Sequence, residues 1–236
     1  MESKEEKPIL LLPILGNRGV GKSVFFKKAL NKFDKNRKLV SSTGLDWGTY
    51  EPFFFKIMDT SGADNFMKGS KFSDTTKYLY MAKLYILMYD ALNKESYQTK
   101  TFTYWVDYLQ EGKKHFKVSK KHNYFFLLGS VDEAKEKNKV DGIGNEAKEK
   151  NKVDGIGKVL EALQKIYISK CPNYVFTDLG TIDIIQESPE KILSKINEFV
   201  ETNKLRETIF QKQKTYYDKI MSKDEKELDY YKCTII

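Results

Sequence analysis

The chain has 236 residues, 40% of them apolar, with 15 Phe, 15 Tyr and a formal net charge of +8. That content excludes a chain disordered throughout and suits one ordinary domain with an appendage. Two cysteines exclude a disulfide framework, and the charge is compatible with an acidic partner, nucleic acid, an anionic membrane or mere solubility.

Pro8–Leu15 is a short apolar run that precedes a glycine loop, so it is expected to be a buried strand rather than a signal or membrane-spanning segment. Glu2 stands where N-myristoylation needs glycine. Lys22–Phe33 carries Val24, Phe25, Ala29 and Leu30 at helical spacing and predicts the first helix. After a polar loop, Asp34–Thr43, two short strands are expected around Trp47–Tyr50 and Phe53–Met58, bent apart by Glu51-Pro52. Asp59–Ser73 reads as loop, Ala82–Tyr89 as a buried strand, Ser96–Gln110 as helix and Tyr124–Leu128 as strand.

Next, "DEAKEKNKVDGIG" at Asp132–Gly144 is repeated as "NEAKEKNKVDGIG" at Asn145–Gly157. The period is too short for a solenoid unit. A tandem-duplicated surface insertion is expected, helical in "EAKEK" and turning at "VDGIG". Helix Lys158–Ile168, strand Tyr174–Thr177 and a helix opened by Pro189 follow, with helical pattern continuing through Tyr217 and Met221. The alternation, with one hairpin-like pair near the start, predicts an α/β fold. Its six-stranded sheet would be mostly parallel, with one antiparallel edge strand and helices on both faces. Residues 1–202 would form the main domain with the insertion at 132–157, and 203–236 a C-terminal helical extension and tail.

Gly16–Ser23, "GNRGVGKS", follows the first strand and opens the first helix. That context makes a phosphate-binding loop: Gly16, Asn17, Arg18, Gly19, Val20, Gly21 and Val24 would offer backbone to polyphosphate oxygens. Lys22 would bridge the terminal phosphates and the Ser23 hydroxyl would ligate Mg²⁺. In "DTSG", Asp59 ends a strand and would hold Mg²⁺ through water, while the Gly62 amide would touch the terminal phosphate. In "SSTG", Thr43 would complete the Mg²⁺ shell, with Ser42 as its rival.

With these motifs the chain resembles the small GTPases of the Ras superfamily, with Rab-like features in "YDALNKESY" and "FTYWVDYLQ", over roughly residues 8–202. The resemblance implies the phosphate-loop NTPase fold, bound GTP or GDP with Mg²⁺, and catalytic roles for Lys22, Thr43 and Gly62. It also implies Phe33 against the base or ribose edge, and two switch loops at 34–44 and 62–72 that GTP orders and hydrolysis releases. Effectors, an exchange factor and an activating protein would meet those loops.

Four positions depart from the family pattern. Arg18 stands where a small residue is usual, close to the terminal phosphate; it obstructs the attacking water, compensates by stabilising phosphate charge, or faces solvent. Ala63 replaces the Gln that orients that water. Together they predict very slow turnover. The guanine-reading Asn-Lys-x-Asp run is reduced to "GSVD", Gly129–Asp132, leaving Asp132 to accept from guanine. Two complete "NKVD" runs, at Asn138–Asp141 and Asn151–Asp154, are the alternative. The base-supporting loop after the last strand is expected at "FTDLG", with backbone from Thr177–Gly180, including Asp178 and Leu179.

Cys233 in "CTII" fits a prenylation signal read by a prenyltransferase. The preceding segment mixes lysines with carboxylates and is not a polybasic patch. The resulting expectation is a monomeric, membrane-associated guanine-nucleotide switch with slow hydrolysis, cycling between cytosol and the cytoplasmic face of a membrane. The alternative is a catalytically inactive, GTPase-like interaction protein, permanently GTP-bound or nucleotide-free. An ATP-hydrolysing enzyme ranks third. Nucleic acid is not an expected partner, because acidic residues are interspersed and no reader motif occurs.

Overall fold

A computed structural model describes residues 7–34, 45–60, 76–132, 145–171 and 173–221, with backbone alone for 145–154 and 219–221. Thr43, Gly62, Ala63, Cys233, most of both switch loops, the first repeat copy beyond Asp132 and its "NKVD" run lie outside the described residues.

Six strands form one sheet: β1 (Leu10–Leu15), β2 (Leu45–Tyr50), β3 (Phe55–Thr60), β4 (Leu84–Asp90), β5 (Asn123–Val131) and β6 (Tyr174–Asp183). Their spatial order is β2-β3-β1-β4-β5-β6. Only the β2–β3 pair is antiparallel. The expected α/β architecture with one antiparallel edge strand is therefore present. A short 3₁₀ turn, Glu51–Phe53, reverses the chain between β2 and β3 at Pro52.

Helices α1 (Lys22–Ala29), α2 (Lys77–Met81), α3 (Thr99–His115), α4 (Asn145–Ile168), α5 (Glu190–Thr202) and α6 (Arg206–Met221) cover both faces. Side chains alternate across the strands. Leu10, Leu12 and Ile14 of β1 and Ile86 and Met88 of β4 pack with α1 and α5. Tyr85 and Leu87 of β4, Phe125 and Leu127 of β5 and Phe176 of β6 pack with α2, α3 and α4.

Three expectations about elements need correction. First, α1 stops at Ala29, four residues before Phe33. Asn31 adopts φ 54°, which ends the helix, and Leu30 instead fills the space beside Gly48 of β2. Second, the second repeat copy does not turn at "VDGIG". It belongs to α4, because Ile156, Val159, Leu163 and Tyr167 fall on one helical face and are buried against the sheet. Third, β6 does not end at Thr177. Between Leu127 and Gly129 of β5, β6 inserts one extra residue, and the strand resumes to Asp183. Gly180, with φ 83°, makes this bulge, and the Asp178 side chain braces it by accepting the Gly180 N–H at 2.9 Å. The "DLG" turn signal is real, but it marks a kink inside a strand. The loop after the last strand starts at Ile184.

Candidate functional site

The loop between β1 and α1 lies at the C-terminal edge of the parallel strands, where open α/β sheets bind ligands. Gly16 adopts φ 149°, and a Cβ there would collide with the Met88 carbonyl oxygen. Gly21 caps α1 with φ 87°, and its own Cβ would sit 3.1 Å from Ile184 Cγ1. The loop is thus wedged between β4 and the β6–α5 turn with no room for side chains at either point. No acidic residue occupies the first turn of α1, and no side chain caps it. Its amides and positive dipole end are left for an anion.

Val20 and Val24 are buried in the core, so each turns its side chain away and offers backbone to the loop. Asn17 is half-buried; Arg18 and Gly19 are exposed. Lys22 is 6% exposed and donates from Nζ to the Gly16 and Asn17 carbonyls, both at 2.8 Å. Burial lowers its pKa to about 8, against the opposing pull of Asp59.

Asp59, the penultimate residue of β3, is 2% exposed. Burial raises its pKa, while a hydrogen bond from Ser23 and the charge of Lys22 pull the other way. Asp59 Oδ1 is buried without a hydrogen-bond partner among the described residues. Directly across the strand pair stands Asp46 of β2, whose charge further raises the Asp59 pKa. Opposed carboxylates destabilise a sheet unless a cation lies between them. Ser23, Asp59 and the loop therefore fit a divalent cation with a polyphosphate, although no group of three or more acidic, His or Cys ligands occurs among the described residues. Asp46 was missed in the sequence; only the antiparallel register brings it opposite Asp59.

Apart from Phe33, the residues expected to meet the base lie on β6 or directly after β5. Ser130 Oγ donates to the Val20 carbonyl at 2.8 Å and to the Tyr89 carbonyl at 3.0 Å, tying the β5 tip to the phosphate loop. Gly129 packs against Tyr89 and Thr181, with no space for a side chain. Asp132 follows directly on β5 and is half-buried. Asp178 and Leu179 lie inside β6: Asp178 is exposed, and Leu179 is buried in the core.

The turn that does reach the phosphate loop is Ile184–Ser188. Ile184 N–H donates to the Val131 carbonyl at 3.0 Å. The Asp183 carboxylate accepts the amides of Ile185 and Gln186 at 2.8 and 2.9 Å. Lys28 of α1 donates to the carbonyls of Ile184, Ile185 and Glu187. A strand-end Asp followed by a Ser-Pro helix entry was the available sequence signal for this turn. Phe33 is half-buried against the α1 core, with Lys28 Nζ 5.9 Å from its ring centroid.

Compared with protein-family models and with curated proteins, the sequence matches none. The architecture itself is that of a phosphate-loop α/β protein, compatible with nucleotide binding in general. No helix among the described residues is long and apolar enough to cross a membrane.

Proposed function

We propose that the protein is a guanine-nucleotide-binding switch that associates with membranes and hydrolyses GTP slowly. The observation that carries the reading is the convergence of Lys22, Ser23 and Asp59 on a glycine loop at the start of α1, with a buried carboxylate oxygen left unpaired. Lys22 would hold the terminal phosphates of GTP or GDP. Ser23 and, through water, Asp59 would hold Mg²⁺, with Thr43 completing its shell. Bound there, Mg²⁺ supplies charge neutralisation between the phosphates. Gly62 would report the terminal phosphate to its loop, and Asp132 would accept from the guanine edge.

Slow turnover follows from Arg18 at the loop tip and from Ala63, which has no group to orient water. Cys233, fourth from the end of this sequence, would carry a prenyl group and bring the switch to the cytoplasmic face of a membrane. Effectors and exchange factors would read the two switch loops.

Chromatography of nucleotide released from purified protein, with a phosphate-release time course, tests the switch. Bound GDP or GTP with slow release is expected. A site that binds neither nucleotide in the presence of magnesium overturns it. Cys233→Ser should move the protein out of the membrane fraction, and unchanged fractionation removes the lipid part.

One observation favours the second reading, a non-catalytic interaction protein. Ser130 is engaged by Val20, and Gly129 has no side chain, so neither supplies a stem to stack on a base. In that case released nucleotide would be absent, or GTP that does not turn over.

A further inference from the structure

The geometry points to the turn between α3 and β5, joined by Lys212 of α6, as a docking face for the anionic headgroups of a membrane. This extends the membrane-associated reading above and rests on it, Cys233 included, for the choice of partner, but not on the nucleotide.

Lys113–His122 reads "KKHFKVSKKH": five lysines, both histidines of the chain and no carboxylate. A charge run alone is usually only a solvated surface. Here the backbone of the turn is tied at several points. Lys117 and His122 adopt φ 55° and 56° at its two bends. Val118 is buried, and its N–H donates to the Lys113 carbonyl at 2.7 Å. Asn123 Nδ2 donates to the Lys120 carbonyl at 2.7 Å. Beneath the turn, the fully buried Lys83 donates to the carbonyls of Ser119 and Lys121 at 2.6 and 3.2 Å.

Helix α6 is fastened to the same place. The Tyr216 hydroxyl accepts the Ser119 N–H, and Lys83 Nζ lies 6.0 Å from the Tyr216 ring centroid. One turn earlier, Lys212 acts on both Lys83 and His122. Burial, then Lys212, Lys83 and Lys121, lower the His122 pKa, the mark of cations gathered on one side. Lys114, Lys117 and Lys121 are exposed. Among the described residues, the carboxylates closest in sequence to the turn and to Tyr216 are Glu111 and Asp218, both exposed and fewer than the six lysines.

The placement suits a bilayer. The turn leads into the start of β5 beside the start of β4, whereas the phosphate loop follows the end of β1. About 20 Å of strand separates the two edges, so a docked molecule turns its phosphate loop away from the lipid. Cys233 lies twelve residues past Met221, within about 40 Å of extended chain, so lipid and patch can engage one surface. A single prenyl chain holds a protein only marginally and needs such a second signal. Nucleic acid fits less well: the segment has no arginine, Tyr or Trp, and its one Phe, Phe116, is half-buried and stacked on Tyr80 rather than offered to a base.

The test uses the full unlipidated chain with Cys233→Ser, sedimented with vesicles of phosphatidylcholine alone or with about one-third phosphatidylserine. Binding to the anionic vesicles only is expected, and it should be lost near about 0.5 M salt. Lys114→Gln/Lys117→Gln/Lys121→Gln should weaken it by roughly a hundredfold, since each lysine at an anionic surface contributes about fivefold. The Glu versions, which reverse each charge, should give a larger loss in the same direction. Lys32→Glu/Lys94→Glu/Lys158→Glu changes net charge equally on other surfaces and should leave most binding intact. Equal weakening by both Glu variants, no preference for anionic vesicles, or binding of duplex RNA or an acidic peptide through the turn with vesicles ignored overturns the proposal. Vesicle binding without membrane association of the lipidated chain in cells would sink the lipid reading instead.

Discussion

At the phosphate-loop edge of the sheet, Lys22 is buried and donates to two carbonyls; at the opposite edge Lys113, no more exposed, donates to the Tyr80 and Ala82 carbonyls at 2.7 Å each. Burial lowers the pKa of both. Carbonyl contacts and desolvation are therefore no sign of a ligand site by themselves. The surroundings separate the two. Around Lys113 the bonds close within the protein: its ammonium caps the end of α2, beside a Tyr80–Tyr108 hydroxyl pair at 2.8 Å. Around Lys22 lie an uncapped helix start, an unpaired Asp59 oxygen and an opposed carboxylate. The contrast is local to the two lysines: Lys113 bonds carbonyls at the end of α2, whereas Lys22 sits beside an uncapped helix start and two opposed carboxylates.

The sharpest way to test this contrast is at Arg206, the hub of the edge opposite the phosphate loop. It pairs with Glu201 at 2.7 Å and donates to the Pro8 and Phe53 carbonyls and to Asn197. Arg206→Ala should lower unfolding free energy by about 4 kcal/mol, because it removes a buried guanidinium and its four charge-assisted hydrogen bonds at once. Urea denaturation followed by circular dichroism measures it, and a loss under about 1 kcal/mol would show that the edge is not held there.

Lys22→Ala should weaken GDP or GTP binding about a hundredfold, the loss of a charge-assisted contact of about 3 kcal/mol. Lys113→Met should leave affinity unchanged. Titration with a fluorescent nucleotide separates the two lysines, and equal effects would erase the distinction.

Gly112 of α3 sharpens the comparison from the packing side. A Cβ there would overlap the Tyr80 ring, whereas at Gly19 of the phosphate loop it would meet nothing within 4 Å. Gly112→Ala should destabilise by about 2 kcal/mol through overpacking. Gly19→Ala should cost only about 1 kcal/mol, from its φ of 82°. Reversed order in thermal or denaturant midpoints would contradict the packing described.

The smallest effect is a pH dependence. Lys22 is charged below about pH 8, so anion binding is strongest there and falls as the lysine loses its proton. Affinity for GDP should be roughly tenfold weaker at about pH 9 than at about pH 7, with proton uptake on binding measurable by calorimetry in two buffers. For stability the sign is opposite. The folded-state pKa is lowered, so the burial cost is present in full below about pH 8. It is relieved as pH rises from there toward the unfolded value of 10.5. Wild type should gain stability relative to Lys22→Met across that window.

Local pattern made much of the molecule legible. The buried runs from Pro8 to Leu15 and from Ala82 to Tyr89 identify central strands, because both faces of such strands are covered. The glycine loop is recognisable between strand and helix, because its backbone demands glycine at fixed steps. Legibility ended where a residue's role depends on a neighbour far along the chain. "VDGIG" reads as a turn until Ile156 finds the sheet, and "DLG" reads as a strand end until β5 offers a partner for Thr181–Asp183. The ties around the phosphate loop were hidden for the same reason: Ser130 is fixed by Val20, and the turn after β6 by Lys28 from another helix.

The sequence by itself determined the alternation of strands and helices, the phosphate loop and the strand-end Asp59, since all of these rest on short-range periodicity and backbone conformation. Only the tertiary structure decided which carboxylate faces Asp59, which turn closes on the loop and which lysines share a surface with α6. Those facts depend on strand register and helix docking, which are set by burial of residues distant in the chain and leave no local pattern.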